Sequence, residues 1–282
     1  MKLRRLFLGL VLLLFAGWRV AADPILVSAG PFDIAFYNAG DGDGWNTSGA
    51  NWTQQQIDDV AASVAAWSAR IANVPARQAR LNVFWYEFDG GILGGCYAPT
   101  YGDGTRSGTY VERVWRDGIA NAGPFGGFDA FMVMDISGAT LGWHFGSEAP
   151  ASNKIDFRSV LTHELGHALG FYPSYEPTTD TWGSVWGTET SPYEWNGFRG
   201  LSAYDQNLRD GAGNVPANGS GGSPGNFAQT GPVYWTGSHA VSTYGGNLPI
   251  YAPNPYRDGS SLAHLDEATF PYALMSPFIS AG

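Results

Sequence analysis

Residues 163–171 read His163-Glu164-Leu165-Gly166-His167-Ala168-Leu169-Gly170-Phe171. Their surroundings predict a helix from Asp156 to Leu169. Asp156 is suited to cap its start, and Val160, Leu161, Leu165, Ala168 and Leu169 supply apolar spacing. Gly170 can take the positive φ that ends a last helical turn. Histidines four apart on a helix stand one turn above each other, so both imidazoles can reach one cation. Glu164, beside the first of them, can approach water at that cation without ligating it. Two neutral imidazoles hold Zn²⁺ well, the ion lowers the pKa of bound water towards roughly 7, and a carboxylate can take the proton as that water attacks a carbonyl. A hydrolytic zinc site also needs a third protein ligand. Only five histidines occur in the chain, which leaves His144, His239 and His264, with Glu176, Asp180 and Glu189 as carboxylate rivals.

Upstream, Phe32–Tyr37 reads as a strand. Thr53 to Gln56 resembles a capping box, and Ile57, Val60, Val64, Trp67 and Ile71 form the apolar stripe of a helix over 53–71. Leu81–Phe88 and Phe128–Ile136 are β-prone runs, with one further strand expected near Thr109–Trp115. This alternation predicts an α/β (α+β) fold, with a twisted sheet packed on two main helices. The cleft is expected beneath an edge strand formed by Phe128–Ile136 or the segment just after it. Beyond Pro173, Gly, Ser, Asn, Thr, Pro and aromatics dominate, with short elements such as Ala203–Asp210. The expected organisation is therefore a segment over 1–22, a lobe over 23–172 carrying the helix, and an irregular, loop-rich lobe over 173–282.

The first 22 residues have the form of a secretory signal. Lys2, Arg4 and Arg5 precede the apolar run from Leu6 to Gly17, and Val20-Ala21-Ala22 ends in small residues. About a dozen apolar residues fall short of the roughly 20 that span a bilayer, so export with cleavage after Ala22 is expected. Removing that segment takes four of the 15 basic residues and no acid, leaving 11 against 25 acids, a net of −14. Such a chain would repel nucleic acid and anionic membranes. Cys96 is the only cysteine, so no intrachain disulfide forms. A buried thiol is the expected state for it, in preference to a latency switch on the metal. Asp-Gly pairs begin at Asp41, Asp43, Asp89 and Asp103. Turns account for them, with Ca²⁺ as the alternative.

Extended to Phe171, the motif HELGHALGF resembles the metzincin clan of zinc peptidases. The third histidine of that clan's compact form would fall where this chain has Pro173, which cannot ligate. His264 lies further on, and Met275 follows it within Ala273-Leu274-Met275-Ser276-Pro277. A distant third histidine followed by this methionine sequence resembles the leishmanolysin branch. The resemblance covers two windows, 163–171 and 261–277. It implies a zincin-like fold, one catalytic Zn²⁺ held by His163, His167 and His264, Glu164 as the catalytic base, and Met275 as the methionine of the turn beneath the metal. Asp266 could orient a ligand or simply be a solvated loop acid, and His144 reads as structural or cleft-lining.

The expected function is that of a secreted or periplasmic zinc endopeptidase, a monomer acting on protein or peptide substrates, with no nucleic-acid partner and no membrane association beyond the signal. Two alternatives remain at this level. One is a non-catalytic secreted binding or surface protein that keeps the scaffold; the other hydrolyses a non-peptide amide.

Overall fold

The computed structural model describes residues 23–41, 49–71, 77–89, 91–102, 107–118, 128–176, 181–182, 201–216, 231–257 and 259–282. The predicted signal, Asp43, Asp103, Asp180 and Glu189 lie outside them. Among the described residues no helix is long and apolar enough to cross a membrane.

The described residues form a mixed α/β structure with four helices. Its main sheet is built from β1 (Ile25–Ala29), β2 (Phe32–Phe36), β3 (Ala79–Tyr86), β4 (Gly94–Tyr97) and β7 (Ala130–Asp135), in the order β1-β2-β3-β7-β4. A small hairpin, β5 (Thr100–Gly102) with β6 (Ser107–Thr109), lies between β4 and β7 in sequence. β2, β3 and β7 run parallel, whereas β4 pairs antiparallel with β7 and closes one edge. The edge strand on this side of the sheet is therefore Gly94–Tyr97, not the Phe128–Ile136 run. That run is too apolar for an edge: Ala130, Met132 and Met134 are buried, and the strand is paired on both sides.

Helix α1 (Gln54–Ser68) begins at Thr53, whose side chain and that of Gln56 form the reciprocal capping box. Ile57, Val60 and Val64 are buried, while Ile71 falls beyond the helix end. Helix α3 (Phe157–Ala168) is capped by Asp156, which accepts from Ser159 N–H at 3.0 Å. Phe157, Leu161 and Leu165 join Ile34, Leu81, Val83, Met132 and Met134 in one apolar cluster. The segment Thr109–Trp115 is a helix, α2 (Tyr110–Asp117), where a strand was expected. Thr109 Oγ1 accepts from Glu112 N–H, Glu112 pairs with Arg116 at 3.0 Å, and Gly118 closes the end at φ +65°. Those local bonds outweigh the β tendency of Thr, Tyr and Val.

Three polar links bind α1 to α3, the weakest from Ser63 Oγ to the Arg158 carbonyl at 3.3 Å. Trp67 Nε1 donates to the Thr162 carbonyl at 2.7 Å. Asp59, fully buried on α1, accepts from Arg158 Nε at 2.7 Å, from Gly146 N–H at 3.0 Å and from Gln55 Nε2 at 3.1 Å.

The remaining elements are short. β8 (Trp143–His144) pairs with β9 (Ile155–Asp156), and β10 (Tyr175–Glu176) pairs with β11 (Thr181–Trp182). A 3₁₀ turn at Asp205–Asn207 leads into a three-stranded sheet of β12 (Leu208–Arg209), β13 (Val233–Trp235) and β14 (Leu248–Ile250), with α4 (Ser238–Tyr244) before β14. Trp182, Tyr204, Leu208, Val233, Ile250 and Leu262 form a second apolar cluster.

Removing Asp59 would leave Arg158 and the Gly146 amide without their acceptor. Asp59→Ala is expected to destabilise the fold by about 3 kcal/mol. Urea unfolding should show this as a lower midpoint at unchanged slope.

Candidate metal centre

α3 places His163 and His167 on one face, and the chain from Ser260 to Ser276 brings His264 against them. His163 Nε2 lies 3.1 Å from His167 Nε2 and 3.1 Å from His264 Nε2. These three form a group able to hold a metal ion, all ligand atoms lying within 4.8 Å of one another. Ligand nitrogens on one tetrahedral zinc, at about 2.0–2.1 Å from it, lie roughly 3.3 Å apart.

The opposite ring nitrogens fix the tautomers. Each Nδ1 faces a backbone carbonyl: His163 that of Leu274 at 2.7 Å, His167 that of Phe171 at 2.8 Å, and His264 that of Ser260 at 2.7 Å. A carbonyl only accepts, so each Nδ1–H donates and each neutral ring presents a lone pair at Nε2. Burial keeps the rings neutral. It pushes His163 down, pushes His167 well down with help from the other two rings, and takes His264 to about 4. Lone pairs cannot hydrogen-bond one another, so three converging on one point, two of them 3.1 Å from the third, fit a shared cation. The donor set fits a metal.

Glu164, next in the chain to His163, lies against the edge strand. It is only 6% exposed. Burial raises its carboxyl to about 8, and the Cys96 amide acts against that rise. β4 approaches closely here, since a Cβ on Gly94 would sit 3.5 Å from Glu164 Cγ. The Cys96 thiol is pushed well up by its enclosure, with Glu164 adding to the effect. It is free, as the sequence requires, and outside the metal-binding group.

Met275 is buried beneath α3. Its sulfur lies where a Cβ on residue 166 would be, so Gly166 is what lets the turn seat against the helix. The neighbouring Leu274 carbonyl orients His163, and Met275 O accepts from Leu265 N–H at 2.8 Å. Gly170 ends the helix region at φ +102°.

The remaining sequence candidates sit elsewhere. His144 Nε2 bonds to the Glu148 carbonyl at 2.8 Å, and His239 is exposed on α4. Asp266 caps a turn through Thr269 N–H and Oγ1, at 3.0 and 2.7 Å, while backbone carbonyls take the ligand Nδ1 atoms. Asp266 therefore orients none of the three rings through those atoms. Asp41 holds its own turn by accepting from Asn38 N–H at 2.6 Å. Among the described residues no second metal-binding group is found, and Ca²⁺ gains no site there.

Sequence reading missed Asp205. Wholly buried, it accepts from Ser174 N–H at 3.0 Å and from Ser202 N–H and Oγ at 2.8 Å each, besides the Ser174 hydroxyl. It ties the chain leaving α3 to the C-terminal region. The Ser202-x-x-Asp205 spacing, whose side chains and amides bond reciprocally, is the local signal that could have found it; Ser174, far back in the chain, gives none.

No family model matches the chain, nor does any curated protein or solved structure compared with it.

With His264 replaced, two nitrogens remain. His264→Ala is expected to strip the protein of near-stoichiometric metal after dialysis against Zn²⁺, measured by plasma mass spectrometry. His239→Ala should retain it.

Proposed function

We propose that this chain is a secreted, zinc-dependent endopeptidase of the leishmanolysin-like metzincin type. The observation that carries the reading is the meeting of three Nε2 lone pairs with a carboxylate, Glu164, adjacent in sequence to one of them. A three-nitrogen donor set with room for a fourth ligand matches catalytic zinc sites. A bound Zn²⁺ would lower the pKa of water towards about 7 and polarise a substrate carbonyl.

The protein's own part falls to Glu164 and β4. The Glu164 carboxylate accepts the proton of the attacking water and returns it to the leaving amine nitrogen. Among the described residues β4 is paired on one side only, by β7, so an extended polypeptide could add to its other side, apart from the Cys96 amide that meets Glu164. A peptide substrate fits that edge better than a compact non-peptide amide. The acidic balance of the chain argues against nucleic-acid partners. Export follows the signal-like first 22 residues, and the protein is taken as a monomer.

The competing reading is a non-catalytic surface protein on the same scaffold. It has no use for a carboxyl kept next to a metal ligand in the chain and against an edge strand. Glu164→Gln should lower hydrolysis of a generic unfolded protein substrate by about 10²-fold or more, while zinc content stays that of the unaltered protein. A chelator should abolish the activity and added Zn²⁺ should restore it. Undiminished activity in the variant, or none in the zinc-loaded original, rejects the reading.

A further inference from the structure

The ligand group is assembled from two chain segments, and one side chain touches the supports of both. Tyr204 is buried in the second apolar cluster. Its ring packs against Phe171 with centroids 5.0 Å apart, and the Phe171 carbonyl is the group that orients His167. Its hydroxyl donates to the Leu262 carbonyl at 2.8 Å, two residues before His264.

Leu262 needs that support. It is fully buried at φ +67°, the left-handed region that disfavours a branched side chain. Two bonds hold it there: the one from Tyr204, and its own N–H to the Tyr251 carbonyl at 2.8 Å. From this turn His264 projects back to the helix, with Nδ1–H held by Ser260 O. Strain held in this way beside a ligand is a mark of positioning. Asp205, next to Tyr204, fixes the same unit to Ser174 and Ser202. Burial and Asp205 raise the Tyr204 phenol, so it remains a donor.

We infer that Tyr204 is a positioning residue for the metal centre: its ring braces the His167 arm and its hydroxyl clamps the strained turn that aims His264. The inference rests on the reading of the three histidines as metal ligands. It does not depend on peptide hydrolysis.

The test is the Zn²⁺ dissociation constant of the full chain, measured by competition with a chromogenic chelator, for the unaltered protein, Tyr204→Phe and Tyr37→Phe. Tyr204→Phe keeps the ring and loses the clamp. It should bind Zn²⁺ about 10- to 100-fold more weakly, in the range of outer-shell changes. Its far-ultraviolet circular dichroism and the melting of its metal-free form should stay close to the original. Tyr37→Phe, which loses a phenol at the N-terminal sheet, should bind normally. Unaltered affinity in Tyr204→Phe overturns the clamp alone. So does an equal loss in Tyr37→Phe, or a fall in metal-free stability with affinity unchanged. A protein that binds no Zn²⁺ overturns both the clamp and the proposed function. Zinc binding without proteolysis overturns only the function.

Discussion

Three neutral imidazoles facing one point repel one another unless something positive stands between them. The fold nevertheless holds that arrangement, and it does so with backbone. Each ring is set by a carbonyl that belongs to a turn: Phe171 after the helix, Ser260 before His264, and Leu274 in the methionine turn. Because a carbonyl cannot donate, each contact fixes a ring's tautomer as well as its direction. The rest of the molecule can be read as what is needed to bring three such carbonyls together.

Two features do most of that work. On one side, α3 is locked to α1 through Asp59 and Trp67, so the helical pair of histidines stands on a rigid base. On the other, the C-terminal segment is drawn in by Met275, which occupies the space that Gly166 leaves free. With a single cysteine, the chain has no covalent crosslink to do this. Buried carboxylates take that part: Asp59 joins two helices, and Asp205 joins the chain after α3 to the segment carrying Tyr204. Each is matched by several donors, the condition under which a buried acid holds structure together.

The sequence made some of this legible. The capping box at Thr53, the helix from Asp156 and the stop at Gly170 are local, since their signals lie within a few residues of the atoms that bond. The two helical histidines and Glu164 were legible for the same reason. His264 was within reach only through its spacing to Met275, and its convergence with the pair is a tertiary fact. What stayed hidden depends on partners distant in the chain. β4 contains two glycines and has little strand propensity, and it exists because β7 offers it a ladder. Helix α2 was misread because Thr109, Tyr110 and Val111 favour strands, while the decisive Glu112–Arg116 pair and Gly118 lie further along. Asp59 is outside the apolar stripe of α1, and it is Arg158 and Gly146 that show it points inward.

The same enclosure acts in opposite directions on the acid and the bases of the site. Burial raises Glu164 to about 8 and lowers His264 to about 4, so each group is driven towards its neutral form. For the imidazoles this is the form that ligates. For the carboxyl it is the form that cannot accept a proton, so a base at this position needs a positive charge nearby to ionise it near neutral pH. Under the proposed function, a cation held by the three nitrogens would favour the Glu164 carboxylate. A scaffold evolved only for binding gains nothing from burying an acid there. On the proposed function, the same acid would serve as a base only when the three nitrogens hold a cation.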